Sequence, residues 1–143
     1  MIFDHISIIV ADPASGREVL HQALRVNAWT AEFSDSVNDV HVQFGCDQAG
    51  LCYELIAPFS AKSPVSRALR TGANITNHVA YRVADLATER DRFLALDFSP
   101  VAEARPAIAY GGALIQFFMS PIFSLVELIE APDHTHRYNV STD

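Results

Sequence analysis

Asp4-His5-Ile6-Ser7-Ile8-Ile9-Val10-Ala11-Asp12 returns later in the chain as Asn77-His78-Val79-Ala80-Tyr81-Arg82-Val83-Ala84-Asp85. Two more stretches repeat in the same register: Val42-Gln43-Phe44 with Ile115-Gln116-Phe117, and Glu54-Leu55-Ile56 with Glu127-Leu128-Ile129. The offset is 73 residues each time. Separate matches held in one register mark a duplicated module. Residues 3–10 alternate and are β-branched, which predicts a strand. Asp12-Pro13 then predicts a helix, with Asp as N-cap and Pro at the first helical position, where its missing N–H costs nothing. Val19, Leu20, Ala23 and Leu24 give that helix an apolar stripe. Strands are expected at 28–33, 39–45 and 51–57, the last two joined by a turn at Asp47-Gln48-Ala49-Gly50. The second copy predicts strands at 76–83, 99–104, 113–119 and 124–130, with a helix from Asp85 to Leu96.

The reading is therefore α+β, two tandem βαβββ modules in one domain of 143 residues. The first module spans 1–60 and the second 74–132. A linker over 61–73 carries a short helix opened by Ser63-Pro64 and stopped before Gly72, and 133–143 is a tail.

Each module offers one His and one Glu on the same sheet face. Alternation places Ile6, Ile8 and Val10 under the helix, so His5 and Ser7 point the other way. On the last strand of the module, Tyr53 and Leu55 lie under the helix, and Glu54 faces with His5. The repeat sets His78 with Glu127 likewise. In both modules the Glu follows the His by 49 residues and sits between apolar neighbours. Burying such a carboxylate is costly unless it is paired or bound to metal. Modules packed face to face, or side by side into one curved sheet, bring His5, Glu54, His78 and Glu127 together. Two imidazoles and two carboxylates suit one divalent ion, Zn²⁺, Ni²⁺, Co²⁺ or Mn²⁺, and leave positions for substrate oxygens.

Other residues are placed by parity. His41 alternates with Gln43 and is expected on the open face as a substrate contact, and Arg82 shares His78's side as a partner for an anionic group. Pairing residue 46 with 51 sets Gln43 opposite Glu54 and Gln116 opposite Glu127, where they would flank the ligand carboxylates. Tyr110-Gly111-Gly112 reads as a loop able to cover the site. His134 and His136 read as part of a solvated tail.

Composition bounds the partners. The net charge is −7, from 10 basic and 17 acidic residues, which argues against nucleic acid. No apolar run is long enough for a membrane span, and the N-terminus lacks a secretory pattern, so a cytoplasmic protein is expected. Cys46 and Cys52 are expected as free thiols.

Phe3-Asp4-His5, Tyr53-Glu54-Leu55-Ile56-Ala57-Pro58, Ser63-Pro64-Val65, the Asn77 to Leu86 stretch and Val126-Glu127-Leu128-Ile129-Glu130 together resemble the vicinal oxygen chelate superfamily. Within it they are most similar to the methylmalonyl-CoA epimerase and glyoxalase I-like branch. The resemblance implies a curved mixed sheet with the metal on its concave face, and a homodimer acting on a small-molecule substrate. It implies an isomerase or epimerase that removes a proton α to a carbonyl, for instance of a CoA thioester, with Glu127 or Glu54 as base. The alternatives it implies are a lactoylglutathione lyase and a non-catalytic binding protein of the antibiotic-resistance kind. Glyoxalase I carries an Arg and an Asn for glutathione where this chain has Ile9 and Pro58. Some epimerases carry a further carboxylate in the region of Val40-His41-Val42-Gln43, which here has none.

Overall fold

A computed structural model of the chain describes residues 1–72, 75–122 and 125–140. In chain order come β1 (Ile2–Ile9), α1 (Pro13–Leu24), β2 (Ala28–Trp29), β3 (Phe33–Asp35), β4 (Val40–Cys46) and β5 (Cys52–Pro58). After α2 (Ser66–Thr71) follow β6 (Thr76–Arg82), α3 (Leu86–Leu94), β7 (Ser99–Pro100), β8 (Arg105–Ala107), β9 (Ala113–Met119), β10 (Leu125–Ile129) and β11 (Asn139–Val140). The expected strand start at residue 124, the linker boundary at 73–74 and the last three tail residues lie outside the described residues.

All the strands join one curved, open mixed sheet in the order β11-β2-β4-β5-β1-β6-β10-β9-β7, with β3 on β4 and β8 on β9. At its centre β1 and β6 run antiparallel, flanked by β5 parallel to β1 and β10 parallel to β6. The two modules are thus joined side by side along their first strands. Helices α1 and α3 cover the convex face, as parity predicts, whereas α2 packs through Ala68 and Leu69 against the apolar cluster of the concave face. Leu20, Val26, Trp29 and Leu55 pack there with Ile8, Val10 and Tyr53, and Val83, Leu86, Phe93, Phe118, Val126 and Leu128 form the matching cluster. Asp12 and Asp85 cap α1 and α3, accepting from Ser15 N and Thr88 N, both at 2.9 Å. Gly16 lets α1 approach closely, since a Cβ there would stand 2.8 Å from Val10 Cγ1 and 3.2 Å from Leu55.

Three local expectations are revised. The hairpin loop is five residues, because Asp47 Oδ1 accepts from Ala49 N and Leu51 N, each at 2.9 Å, and holds Leu51 inside the loop. Cys46 therefore pairs with Cys52, setting Gln43 opposite Leu55 and Phe44 opposite Glu54. Likewise Gln116 pairs with Leu128 and Phe117 with Glu127. The expected strands at 28–33 and 99–104 are broken into β2 and β3, and into β7 and β8. In both breaks a glutamine amide substitutes for missing ladder bonds. Gln43 Nε2 donates to Thr30 O at 2.8 Å, and Gln116 Nε2 to Ala102 O at 2.9 Å. Helix α3 stops at Leu94 because Asp97 adopts φ 62° and Phe98 N returns to Phe93 O.

Candidate metal centre

Strand register composes the site. Ser7 of β1 pairs with Glu54 of β5 on one side and with His78 of β6 on the other. One step along, Ala80 of β6 lies between His5 of β1 and Glu127 of β10. Each row thus sets a carboxylate and an imidazole on either side of a small residue, and the four long side chains converge over Ser7 and Ala80. His5, Ser7, Glu54, His78, Ala80 and Glu127 are all buried.

The donor atoms converge tightly. His5 Nε2 lies 3.1 Å from His78 Nε2 and 3.5 Å from Oε2 of both Glu54 and Glu127. His78 Nε2 lies 3.5 Å from Glu54 Oε2 and 3.2 Å from Glu127 Oε2. Donor atoms of His5, Glu54 and His78 all fall within 4.8 Å of one another. Two ligands each about 2.0–2.2 Å from one ion stand roughly 3–3.5 Å apart, so these separations fit a shared divalent cation. Two imidazole nitrogens facing each other at this distance repel unless a proton or a cation lies between them. The residues present suit the metal on both counts.

Both imidazoles are fixed from behind. His5 Nδ1 donates to Asp4 Oδ2 at 2.9 Å and His78 Nδ1 to Asn77 Oδ1 at 2.8 Å, which directs both Nε2 atoms toward the centre. Asp4 reaches this position because the β1–β6 register shifts between Phe3 and His5, turning two consecutive residues toward the concave face. Tyr110 Oη donates to Asp4 Oδ2 at 2.6 Å, and Ser7 Oγ to Glu54 Oε2 at 2.6 Å.

Electrostatics follows the contacts. Burial opposes charge on His5, yet Glu54, Asp4 and Glu127 outweigh it and raise the imidazole to about 10. Burial also opposes ionisation of Glu54, but His5, His78 and the Ser7 hydroxyl lower it to about 2. Asp4 is buried, and donors from His136, His5 and Tyr110 nonetheless hold it well below the usual carboxylate range. A protonated His5 among carboxylates marks the place a cation would take.

A cavity of about 470 Å³ opens on one side of the four residues. Glu54, His78, Asn77 and Glu127 line it with the aliphatic Val40, Val42, Ile56, Ile115 and Leu125, the rings of Phe117 and Tyr110, and Arg105 at an exposed position.

The structure brings His5, Glu54, His78 and Glu127 together and keeps His41, Gln43 and Gln116 away from them. His41 does share a face with Gln43, but that face is the outer one: Nδ1 lies 3.0 Å from Ser34 Oγ, and the ring rests on Phe59. Both glutamines serve the broken strands instead. Arg82 shares His78's face, but its Nε pairs with Asp4 Oδ1 at 2.8 Å and its Nη1 donates to the carbonyls of Pro132 and His134. Tyr110 is buried in a 3-10 turn over Ile108–Tyr110 rather than in a loose loop. Asp4, Asn77 and His136 are partners that sequence reasoning passed over, while Ser7 was placed on His5's face and Tyr110 in a covering loop without their bonds to Glu54 and Asp4. Asp4 and Asn77 were legible as the repeated residue before each His. Tyr110 was legible only as part of a covering loop, and His136 carried no signal as a partner of Asp4, because both reach the site from distant segments.

The family model of the glyoxalase/bleomycin resistance protein/dioxygenase superfamily matches residues 4–117. Among solved structures, methylmalonyl-CoA epimerase from Mycobacterium tuberculosis is similar at TM-score 0.74 and 24% identity, over 89% of this chain and 85% of that one. A hypothetical protein from Bacillus halodurans C-125 gives TM-score 0.78 at 19% identity, over 94% and 97%. Streptomyces coelicolor methylmalonyl-CoA epimerase (E43Q), in complex with 2-nitronate-propionyl-CoA, gives 0.71 at 18%, over 90% and 96%. At these identities the likeness concerns the fold. No curated protein matches the chain.

Proposed function

Because the chain belongs to the glyoxalase/bleomycin resistance protein/dioxygenase superfamily, we propose that it is a metal-dependent isomerase or epimerase acting on a proton α to a carbonyl. Acyl-CoA thioesters are the first substrates to test, since methylmalonyl-CoA epimerases share the fold. His5, Glu54, His78 and Glu127 would hold the ion. When bound, a divalent ion supplies Lewis-acid stabilisation of negative charge on a carbonyl oxygen.

One observation carries the reading. Glu127 and Glu54 both line the cavity, and the ion pairs of Glu127 run to the two imidazoles, with no hydroxyl partner among the described residues like the one Glu54 has in Ser7. Glu54 is pinned by Ser7. A carboxylate free to turn into an apolar cavity is suited to take a proton from carbon, whereas a pinned one is suited to remain a ligand. Glu127 would accept the α-proton and return it to a neighbouring carbon for isomerisation; for epimerisation the opposite face of the planar carbon takes its proton from a second group, for which Glu54 on the same cavity is the candidate. The aliphatic wall excludes water from the carbanion-like state and gives the substrate's apolar part a surface to bury. Asn77 and Asp4 keep both imidazoles in the tautomer that presents Nε2.

The test is α-proton exchange in D₂O, followed by NMR with a 2-methyl-branched acyl-CoA and protein loaded with Zn²⁺, Ni²⁺, Co²⁺ or Mn²⁺. Exchange that requires metal and is lost in Glu127→Gln supports the proposal. Turnover of hemithioacetals alone would favour the lyase. Ligand binding that ignores metal, with no exchange, would favour a binding protein.

A further inference from the structure

The C-terminal strap returns from β10 across the concave face and is fastened at several points. Arg82 Nη1 donates to Pro132 O at 3.0 Å, His136 stacks on Phe44 with ring centroids 4.1 Å apart, and Tyr138 Oη donates to Cys52 Sγ at 3.2 Å. β11 then pairs with β2. The strap covers the end of the trough where Phe44 and Cys52 lie, and the cavity occupies the other end. The His136 side chain is only 8% exposed, and its Nε2 lies 3.0 Å from Asp4 Oδ2, the same oxygen that accepts from His5 Nδ1.

We propose that His136 is a positioning residue for the metal centre, acting on the ligand His5 through Asp4. The inference rests on the metal-site reading above. An ionised carboxylate only accepts hydrogen bonds, so His136 must present Nε2–H and His5 must present Nδ1–H. With Tyr110 and Arg82 on the same carboxylate, His136 fixes Asp4 from the strap side. Asp4 then fixes the ring plane and tautomer of His5, leaving its Nε2 lone pair for the ion. The strap thus contributes a residue 131 positions away in sequence to the orientation of His5.

The test measures Zn²⁺ affinity by chelator competition on the full chain, with the Co²⁺ absorption spectrum as a second reading. His136→Phe keeps a ring on Phe44 and removes the donor, and His136→Gln restores one. Partners behind a ligating histidine are worth about 10–100-fold in affinity. The expected result is at least about tenfold weaker Zn²⁺ binding in H136F, an altered Co²⁺ spectrum, and recovery to within about threefold in H136Q. Equal affinity in H136F and the parent would overturn the role of the strap and leave the metal site standing. Equal weakening in H136F and H136Q would overturn the hydrogen-bond route. A parent that takes up no ion would overturn the metal-site reading itself, and this inference with it. Should H136F not fold, histidine NMR of the Zn²⁺-loaded parent decides. A slowly exchanging His136 Nε2 proton is expected, and a bare, rapidly exchanging ring would overturn the proposal.

Discussion

Ser7 and Ala80 are equivalent through the 73-residue repeat, and only Ser7 has a hydroxyl to hold the carboxylate beside it. Ser7 pairs with Glu54 on β5 just as Ala80 pairs with Glu127 on β10. Duplication therefore built two matching His–Glu pairs, and one side chain makes them chemically unequal. Removing the Ser7 hydroxyl takes away a charge-assisted bond to a buried carboxylate. Ser7→Ala is expected to weaken Zn²⁺ binding by about tenfold, the lower end for a group that orients a metal ligand. Isothermal titration against a competing chelator checks it, and unchanged affinity would mean that Ser7 does not fix Glu54 for the ion.

The converse substitution addresses catalysis. Ala80→Ser places a hydroxyl beside Glu127 in a fully buried position. If Glu127 acts by turning into the cavity, that hydroxyl restrains it. Exchange at the α-carbon should then slow by about tenfold or more, while Zn²⁺ affinity stays equal or tightens; a tenfold rate change corresponds to about 1.4 kcal/mol in the barrier. Undiminished exchange with tighter metal binding would count against Glu127 as the mobile base.

The metal-free protein should show a stability window set by the same groups. His5 is raised from its ordinary 6.5 to about 10, so its contribution is complete below pH 6.5 and lost as pH rises through 10. Glu54 is lowered from 4.5 to about 2, so its contribution is present above pH 4.5 and lost as pH falls through 2. With both contributions in force between pH 4.5 and 6.5, the urea midpoint of chelator-treated protein should decline on raising pH from about 6.5 to about 9. A midpoint that climbs over that range would mean His5 is not held protonated in the metal-free fold.

What the sequence made legible was what periodicity controls. The repeat set the order of elements, and parity assigned His5, Glu54, His78 and Glu127 to one face because side chains on a strand alternate strictly. Parity could not supply register across a hairpin. Asp47 lengthened the loop by one residue, and that moved Gln43 from opposite Glu54 to opposite Leu55. Nor could parity foresee the irregularity that turns Asp4 inward beside His5. His136 was hidden for another reason: nothing local distinguishes a strap that packs on Phe44 from a solvated tail.

The displaced glutamines give the sharpest contrast between the two accounts of the site. As flanking partners of the ligand carboxylates they would affect the metal; as bridges over broken strands they affect only stability. Gln43 is buried on the outer face, and its amide satisfies the carbonyl of Thr30 at 2.8 Å. Gln43→Ala leaves that carbonyl without its donor, at an expected cost of about 1–2 kcal/mol. Gln116→Ala should do the same to Ala102 O, its partner at 2.9 Å. Because the two glutamines serve breaks at opposite sides of the sheet, between β2 and β3 and between β7 and β8, their effects should add in the double variant. Urea denaturation of the metal-free single and double variants measures the cost, and chelator competition measures Zn²⁺ affinity, expected within about twofold of the parent because neither amide touches a ligand. A stable Gln43→Ala protein with tenfold weaker metal binding would reverse the assignment and return the glutamine to the carboxylates.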